Sequence, residues 1–193
     1  MKIHIPEDCT QINVLVSGGV DSTILLFLLL QENAGRVPVK TFTFAPRNNL
    51  LGDVSLNTIA KILPWLEARF QTNIPHTVIK RTSYIRRAVE DISLIEDGYV
   101  YTGCNKVMHD EFTPTIYIPN DTPPVRGDAF GIIHLRPFIN RDKIEIMHEF
   151  VMHDIIELLY LTKSCGISEV PCRGCYFCME RQWAAAYLGI TDI

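Results

Sequence analysis

The chain has 193 residues, of which 47% are hydrophobic and 21% charged, and carries a formal net charge of -4. That suits one globular domain with a small appendage, and it excludes a disordered or fibrous chain. The acidic balance argues against a protein whose main task is gripping nucleic acid; the Lys80-Arg81 and Arg86-Arg87 pairs read as a solvated face.

Met1 to Asp8 has no apolar signal core and carries acids early, so the expected location is the cytoplasm. Apolar runs then alternate with longer helical patterns, as in a parallel α/β sheet. The expected strands are Ile12-Val16, Val39-Phe44, His76-Ile79, Tyr99-Thr102 and Gly131-Leu135. The expected helices are Ser22-Asn33, Val54-Gln71 (disturbed at Pro64) and Tyr84-Glu96. A further helix is expected from about Arg141 to Leu161, with Asn140 placed to cap it and Asp142 in its first turn. A short last helix should follow Cys178. Ile24 to Leu30 is apolar throughout but far short of the ~20 residues a bilayer needs, so it reads as a buried helix and no membrane partner is expected. Residues Gly103 to Gly127, with Pro114, Pro119, Pro123 and Pro124, show no period. A connection of that length suits a functional loop at a strand end.

The turn after the first strand reads Ser17-Gly18-Gly19-Val20-Asp21-Ser22-Thr23. Paired glycines let successive N–H groups point inward as an anion nest, and the following helix adds its positive end. Ser17 and Ser22 add hydroxyl donors. The loop has no lysine, so it is neither a Walker loop nor a G-x-G-x-x-G dinucleotide loop. Asp21 would repel bare phosphate; it makes sense beside Mg²⁺ or as a helix-start residue.

Cys165, Cys172, Cys175 and Cys178 form C-x6-C-x2-C-x2-C, a spacing that suits a metal in a reducing compartment better than disulfides. Gly174 eases the turn between two of them. Four thiolates can close a structural zinc site, which is the favoured reading; an iron–sulfur cluster is the rival. His148 and His153 resemble a zinc-protease pair, but five residues turn a helix by ~140° and the rings diverge. His109-Asp110-Glu111 offers a base or a second Mg²⁺ site, or is plain loop.

The loop S-G-G-V-D-S-T resembles the PP-loop of the N-type ATP pyrophosphatases. The order of features resembles, more narrowly, the 7-cyano-7-deazaguanine synthase (QueC) family. After the loop come Thr41-Phe42-Thr43-Phe44, then R-P-F-I-N-R-D-K-I-E-I, then S-C-x6-C-R-G-C-Y-F-C-M-E-R. Of the family's G-x-N stretch after the fourth strand, Gly103 and Asn105 align and the following residues do not.

The resemblance implies an α/β fold: a three-layer, parallel-sheet sandwich of the adenine nucleotide alpha hydrolase (HUP-like, Rossmann-like) class. An ATP-binding domain would span 1–162, with a small zinc-binding helical segment over 163–193. It also implies that Ser17, Gly18, Gly19, Val20, Asp21 and Ser22 bind ATP with Mg²⁺, that Thr43 and Phe44 contact adenine, and that the four cysteines hold structural Zn²⁺. Lys143 would approach phosphate, the alternative being a surface helix lysine. Arg47 would reach phosphate or substrate, the alternative being an exposed turn. The implied reaction is ATP-dependent ligation of ammonia to 7-carboxy-7-deazaguanine through an adenylate, with a homodimer as the candidate assembly. The alternatives are a diverged relative activating another carboxylate, on a protein or nucleic acid, and sulfur transfer to tRNA, for which Cys104 is the candidate thiol.

Overall fold

The computed structural model describes residues 1–46, 50–81, 95, 98–106, 134–165, 168 and 170–191. Among them are strands β1 (Ile12–Leu15), β2 (Val39–Pro46), β3 (His76–Arg81), β4 (Tyr99–Thr102) and β5 (His134–Leu135). The helices are α1 (Val20–Asn33), α2 (Leu50–Phe70), α3 (Lys143–Met152), α4 (Ile156–Leu161) and α5 (Tyr176–Leu188). Arg47, the His109-Asp110-Glu111 triplet and, Ile95 apart, the helix expected over 84–96 lie outside the described residues.

The five strands form one sheet in the order β3-β2-β1-β4-β5, and every pairing is parallel. Ile12 pairs with Val39 on one side and Tyr99 on the other, so β1 is central. Side chains alternate between faces, and both faces are apolar. Ile12, Val14, Val39 and Tyr101 join the main core, whereas Leu15, Phe42 and Val100 meet Ile95 on the opposite face. This is a parallel α/β sheet, as the fold-class expectation has it, and the described helices pack against its main-core face. No helix among the described residues is long and apolar enough to cross a membrane.

α1 lies deepest. Its run Ile24 to Leu30 is buried all round, because the helix is apolar on every side rather than along one stripe. It begins at Val20, two residues before the expected start, with Gly19 as N-cap. α2 starts earlier than expected and continues through Pro64 without a break. Pro64 and Ala60 are both exposed, so the carbonyl that the proline leaves without a partner faces water.

The single helix expected over 141–161 is two helices. Asp142, not Asn140, caps α3: its carboxylate accepts from the Glu145 N–H at 2.8 Å, and the Glu145 side chain accepts from the Asp142 N–H at 3.1 Å. α3 ends in a Schellman turn. Asp154 takes φ 53°, its N–H donates to the Val151 carbonyl, and the Ile155 N–H donates to the Phe150 carbonyl. Ile155 is buried beneath the turn. The sequence hides this stop because aspartate holds the left-handed position that glycine usually marks. The last helix is also longer than expected: α5 runs for 13 residues, begins before Cys178 and includes it.

Candidate functional site

In a sheet ordered β3-β2-β1-β4-β5, successive crossovers leave β1 in opposite directions, and a crevice opens at the carboxyl ends of β1 and β4. The Ser17–Gly19 turn sits there. Gly18 has φ 77°, and a Cβ on it would come within 2.9 Å of Thr58 on α2, so both backbone and space demand glycine. The serines organise the turn. Ser22 Oγ accepts from the Ser17 N–H at 3.1 Å and donates to the Gly19 carbonyl at 3.3 Å. Ser17 Oγ accepts from the Gly19 N–H at 3.3 Å and lies 3.2 Å from Ser22 Oγ. The first-turn N–H groups of α1, which no helical carbonyl can satisfy, face the same crevice end. Gly103, at the end of β4, presses on this helix start: a Cβ there would lie 2.8 Å from Asp21 C and Ser22 N.

Lys143 is no surface lysine. As the first residue of α3 it is 4% exposed, and its Nζ meets Asp21 at 2.5 and 2.6 Å and Glu180 at 3.1 Å. Glu180, 2% exposed on α5, also accepts from Asn105 Nδ2 at 2.9 Å. Burial alone disfavours the ammonium, but the Asp21 and Glu180 carboxylates outweigh it and hold the Lys143 pKa above the usual lysine value. Burial pushes the Glu180 pKa up, against the opposing pull of Lys143. One cation thus bridges two carboxylates drawn from α1 and α5.

A pocket of about 330 Å³ opens over this arrangement, lined by Ser17, Gly19, Val20 and Asp21 from the loop and by Lys143. Lys163, Ser164, Cys165 and Phe177 close its other side. Its size falls in the usual range for small-molecule sites. The thiols of Cys165, Cys172, Cys175 and Cys178 all lie within 4.8 Å of one another and could hold a metal ion. The Cys175 N–H donates to Cys172 Sγ at 3.3 Å, and Cys175 then caps α5. The left-handed residue in this turn is Arg173, at φ 57°, beside Gly174. Burial drives the Cys178 thiol well above its ordinary pKa, and the neighbouring Cys175 and Cys165 thiols add to this. Arg181, one residue beyond Glu180, donates to the Thr162 carbonyl and hydroxyl at 3.0 and 2.9 Å, tying α5 to the end of α4.

The structure therefore gathers Ser17, Gly19, Val20, Asp21, Lys143 and the thiol Cys165 around one pocket. Thr43 and Phe44 stand apart from it. Thr43 is buried and donates to the Val16 carbonyl at 2.7 Å, pinning β2 to the root of the loop, and Phe44 is half-buried. The histidines expected to diverge do so: His148 is exposed, while His153 packs on Phe27 at a centroid distance of 5.2 Å. Glu180, Lys163 and Thr58 were not singled out in the sequence, and Asn105 was noted only as a position aligned with the G-x-N stretch. Only the C-M-E-R ending after the last cysteine hinted at Glu180.

No family model and no curated protein matches this sequence. Solved structures do. NMN synthetase from Francisella tularensis superposes with a TM-score of 0.50 at 15% identity, covering 96% of this chain and 80% of that one. This chain shares that protein's fold. The U34-tRNA thiolase NcsA from Methanococcus maripaludis, solved with its [4Fe-4S] cluster, gives a TM-score of 0.49 at 12% identity, covering 94% of this chain and 66% of that one. At such identities the likeness is one of fold, and the chemistry has to be read from the pocket.

Proposed function

We propose that this protein is an ATP-dependent ligase that cleaves ATP between its α- and β-phosphates. The observation that carries the reading is the lysine-free glycine loop at the sheet's switch point, opening into the same pocket as the Lys143–Asp21 pair. A Walker loop uses its lysine to draw charge onto a terminal phosphoryl group. This loop instead offers the first-turn N–H groups of a helix start, with two serine hydroxyls that would turn from their partners within the loop, which suits pyrophosphate held as one leaving group. The fold shared with an NMN synthetase does not supply the substrate.

The proposed substrate is 7-carboxy-7-deazaguanine, with ammonia as the nitrogen donor, as the QueC resemblance implies. A carboxylate oxygen attacks the α-phosphorus, the bridging P–O bond breaks, and pyrophosphate leaves with the electron pair. Ammonia then adds to the acyl carbon, loses a proton and displaces AMP, giving the amide. A second activation, on the amide oxygen, followed by loss of AMP and of the remaining N–H protons, gives the nitrile preQ0.

Asp21 would hold Mg²⁺. Both of its oxygens keep lone pairs beyond those facing Lys143, and one carboxylate plus phosphate oxygens is an ordinary Mg²⁺ set. The ion, when bound, neutralises charge on the departing pyrophosphate. Lys143 keeps Asp21 aimed at the pocket, and the loop orients the phosphates.

The thiol cluster fits zinc. Four thiolates at ~2.3 Å from one ion would stand about 3.8 Å apart, and Cys172 and Cys178 stand at 4.0 Å. A four-iron cluster spreads its thiolates farther, over separate irons. Metal analysis of the purified protein decides, and brown colour with visible absorbance would sink zinc.

Mg-ATP with a panel of carboxylates tests the reaction. AMP and pyrophosphate are expected, and ADP with phosphate would refute it. Sulfur transfer to tRNA remains the second reading because Cys104 is exposed and directly follows Gly103, which touches the α1 start. Cys104→Ser should leave ligation intact and abolish thiolation.

A further inference from the structure

The segment bearing the thiols touches the anion loop on both sides of the cluster. On the entry side, two residues before Cys165, the Lys163 N–H donates to the Gly18 carbonyl at 2.9 Å. On the exit side, two residues after Cys178, Glu180 meets Lys143, which in turn grips Asp21. Glu180 has little freedom of its own, held by Asn105 at 2.9 Å and approached by the Tyr176 hydroxyl at 3.5 Å. Cys175 caps α5 and Cys178 lies in its first turn, so whatever fixes these two sulfurs also fixes where Glu180 projects. Between Cys165 and Cys175 the described residues form no helix, and the four sulfurs of the segment converge to within 4.8 Å of one another. Cys165 and Phe177 line the same pocket as Ser17, Gly19 and Asp21.

We infer that a metal ion on the four thiols clamps the anion loop, and that Glu180 is the positioning residue that passes the constraint to Lys143 and Asp21. Metal and nucleotide then strengthen each other's binding. The inference rests on the reading of the loop as an ATP site. Coupling of this kind is reciprocal: if the metal tightens Mg-ATP by some factor, Mg-ATP tightens the metal by the same factor. The metal segment is thereby part of the nucleotide site rather than an appended staple.

The test uses the full chain loaded with Zn²⁺, the same protein after chelation, and Glu180→Gln with Zn²⁺. Amide hydrogen exchange of residues 17–23 reads the loop without any nucleotide, with residues 24–30 of α1 as the internal control. Mg-ATP titration reads the site. Chelation is expected to raise exchange at 17–23 and to weaken Mg-ATP about tenfold, within the usual span for coupled sites, and added Zn²⁺ should restore both. Glu180→Gln should keep its Zn²⁺ yet show the exposed loop, and saturating Mg-ATP should tighten Zn²⁺ only in the native protein. Equal loop exchange with and without Zn²⁺ would overturn the clamp. So would a Glu180→Gln protein with native exchange and native coupling. If the variant does not fold, the chelation series on the native protein still decides. Zinc-dependent loop protection with no Mg-ATP binding at all would uphold the clamp and overturn the ATP reading instead.

Discussion

Lys143 sits almost wholly out of water between two carboxylates, and the three charges do not stand to lose equally. Removing Asp21 leaves a lysine still neutralised by Glu180. Removing Lys143 leaves the buried Glu180 carboxylate uncompensated and next to the partly exposed Asp21, and breaking such a buried pair typically costs about 3–5 kcal/mol. Lys143→Met should therefore destabilise by roughly that much in urea unfolding. Asp21→Ala should cost less than Lys143→Met, yet abolish AMP formation. Equal stabilities for the two variants would contradict the bridging arrangement. His134 gives a separate handle. Burial, with Arg136 adding to it, lowers its pKa from 6.5 to about 4, while its Nε2 lies 2.8 Å from Thr102 Oγ1. The unfolded chain takes up a proton near pH 6.5, whereas the folded one resists until about pH 4. Stability should thus fall as pH drops through that window and be unaffected above it. His134→Asn should flatten that slope in unfolding curves measured across the window.

At the scale of elements, two close approaches place the site. The capping box at Asp142 fixes where α3 begins, and Lys143 is its first residue. Asp142→Ala is expected to cost about 1 kcal/mol in stability and to loosen Lys143 with it, visible as a weaker Mg-ATP complex. Gly103 is the other contact. Because a Cβ would strike backbone atoms of α1 rather than a flexible side chain, Gly103→Ala must push β4 and the helix start apart. A loss of about 1–3 kcal/mol with impaired ATP binding is expected. A fully active, fully stable Gly103→Ala protein would show that the β4 end is not held against the loop. The sequence pattern located most strands because buried parallel strands read as continuous apolar runs. The stop inside 141–161 was not legible, since Asp154 takes a conformation that glycine normally signals.

Across the whole molecule, five parallel strands with β1 central carry the loop to the switch point. The chain after α4 then returns to close the pocket with Lys163, Ser164, Cys165 and Phe177. Cys165 and Cys172 lie before α5, where the described residues form no helix, while Cys175 caps α5 and Cys178 lies in its first turn, so the order of this segment should depend on the metal. Cys175→Ser is expected to lower both metal content and thermal stability, with the loss confined to conditions where the native protein is metal-loaded. A metal-depleted native protein as unstable as the variant would agree with this; equal stability of variant and loaded protein would not.

By itself the sequence determined the apolar strands, the lysine-free loop and the four-cysteine spacing, because each is local: a run, a turn and a set of short intervals. Even the aspartate that seemed out of place in the loop was visible as an anomaly. Its partner was not. Lys143 lies 122 residues from Asp21 along the chain, and Glu180 lies farther still. Only tertiary packing brings them together, because α3 must pack on α1 and α5 on α3 before the three charges can meet. That burial makes the ion network strong enough to aim Asp21, and it turns a surface-looking lysine into part of the site.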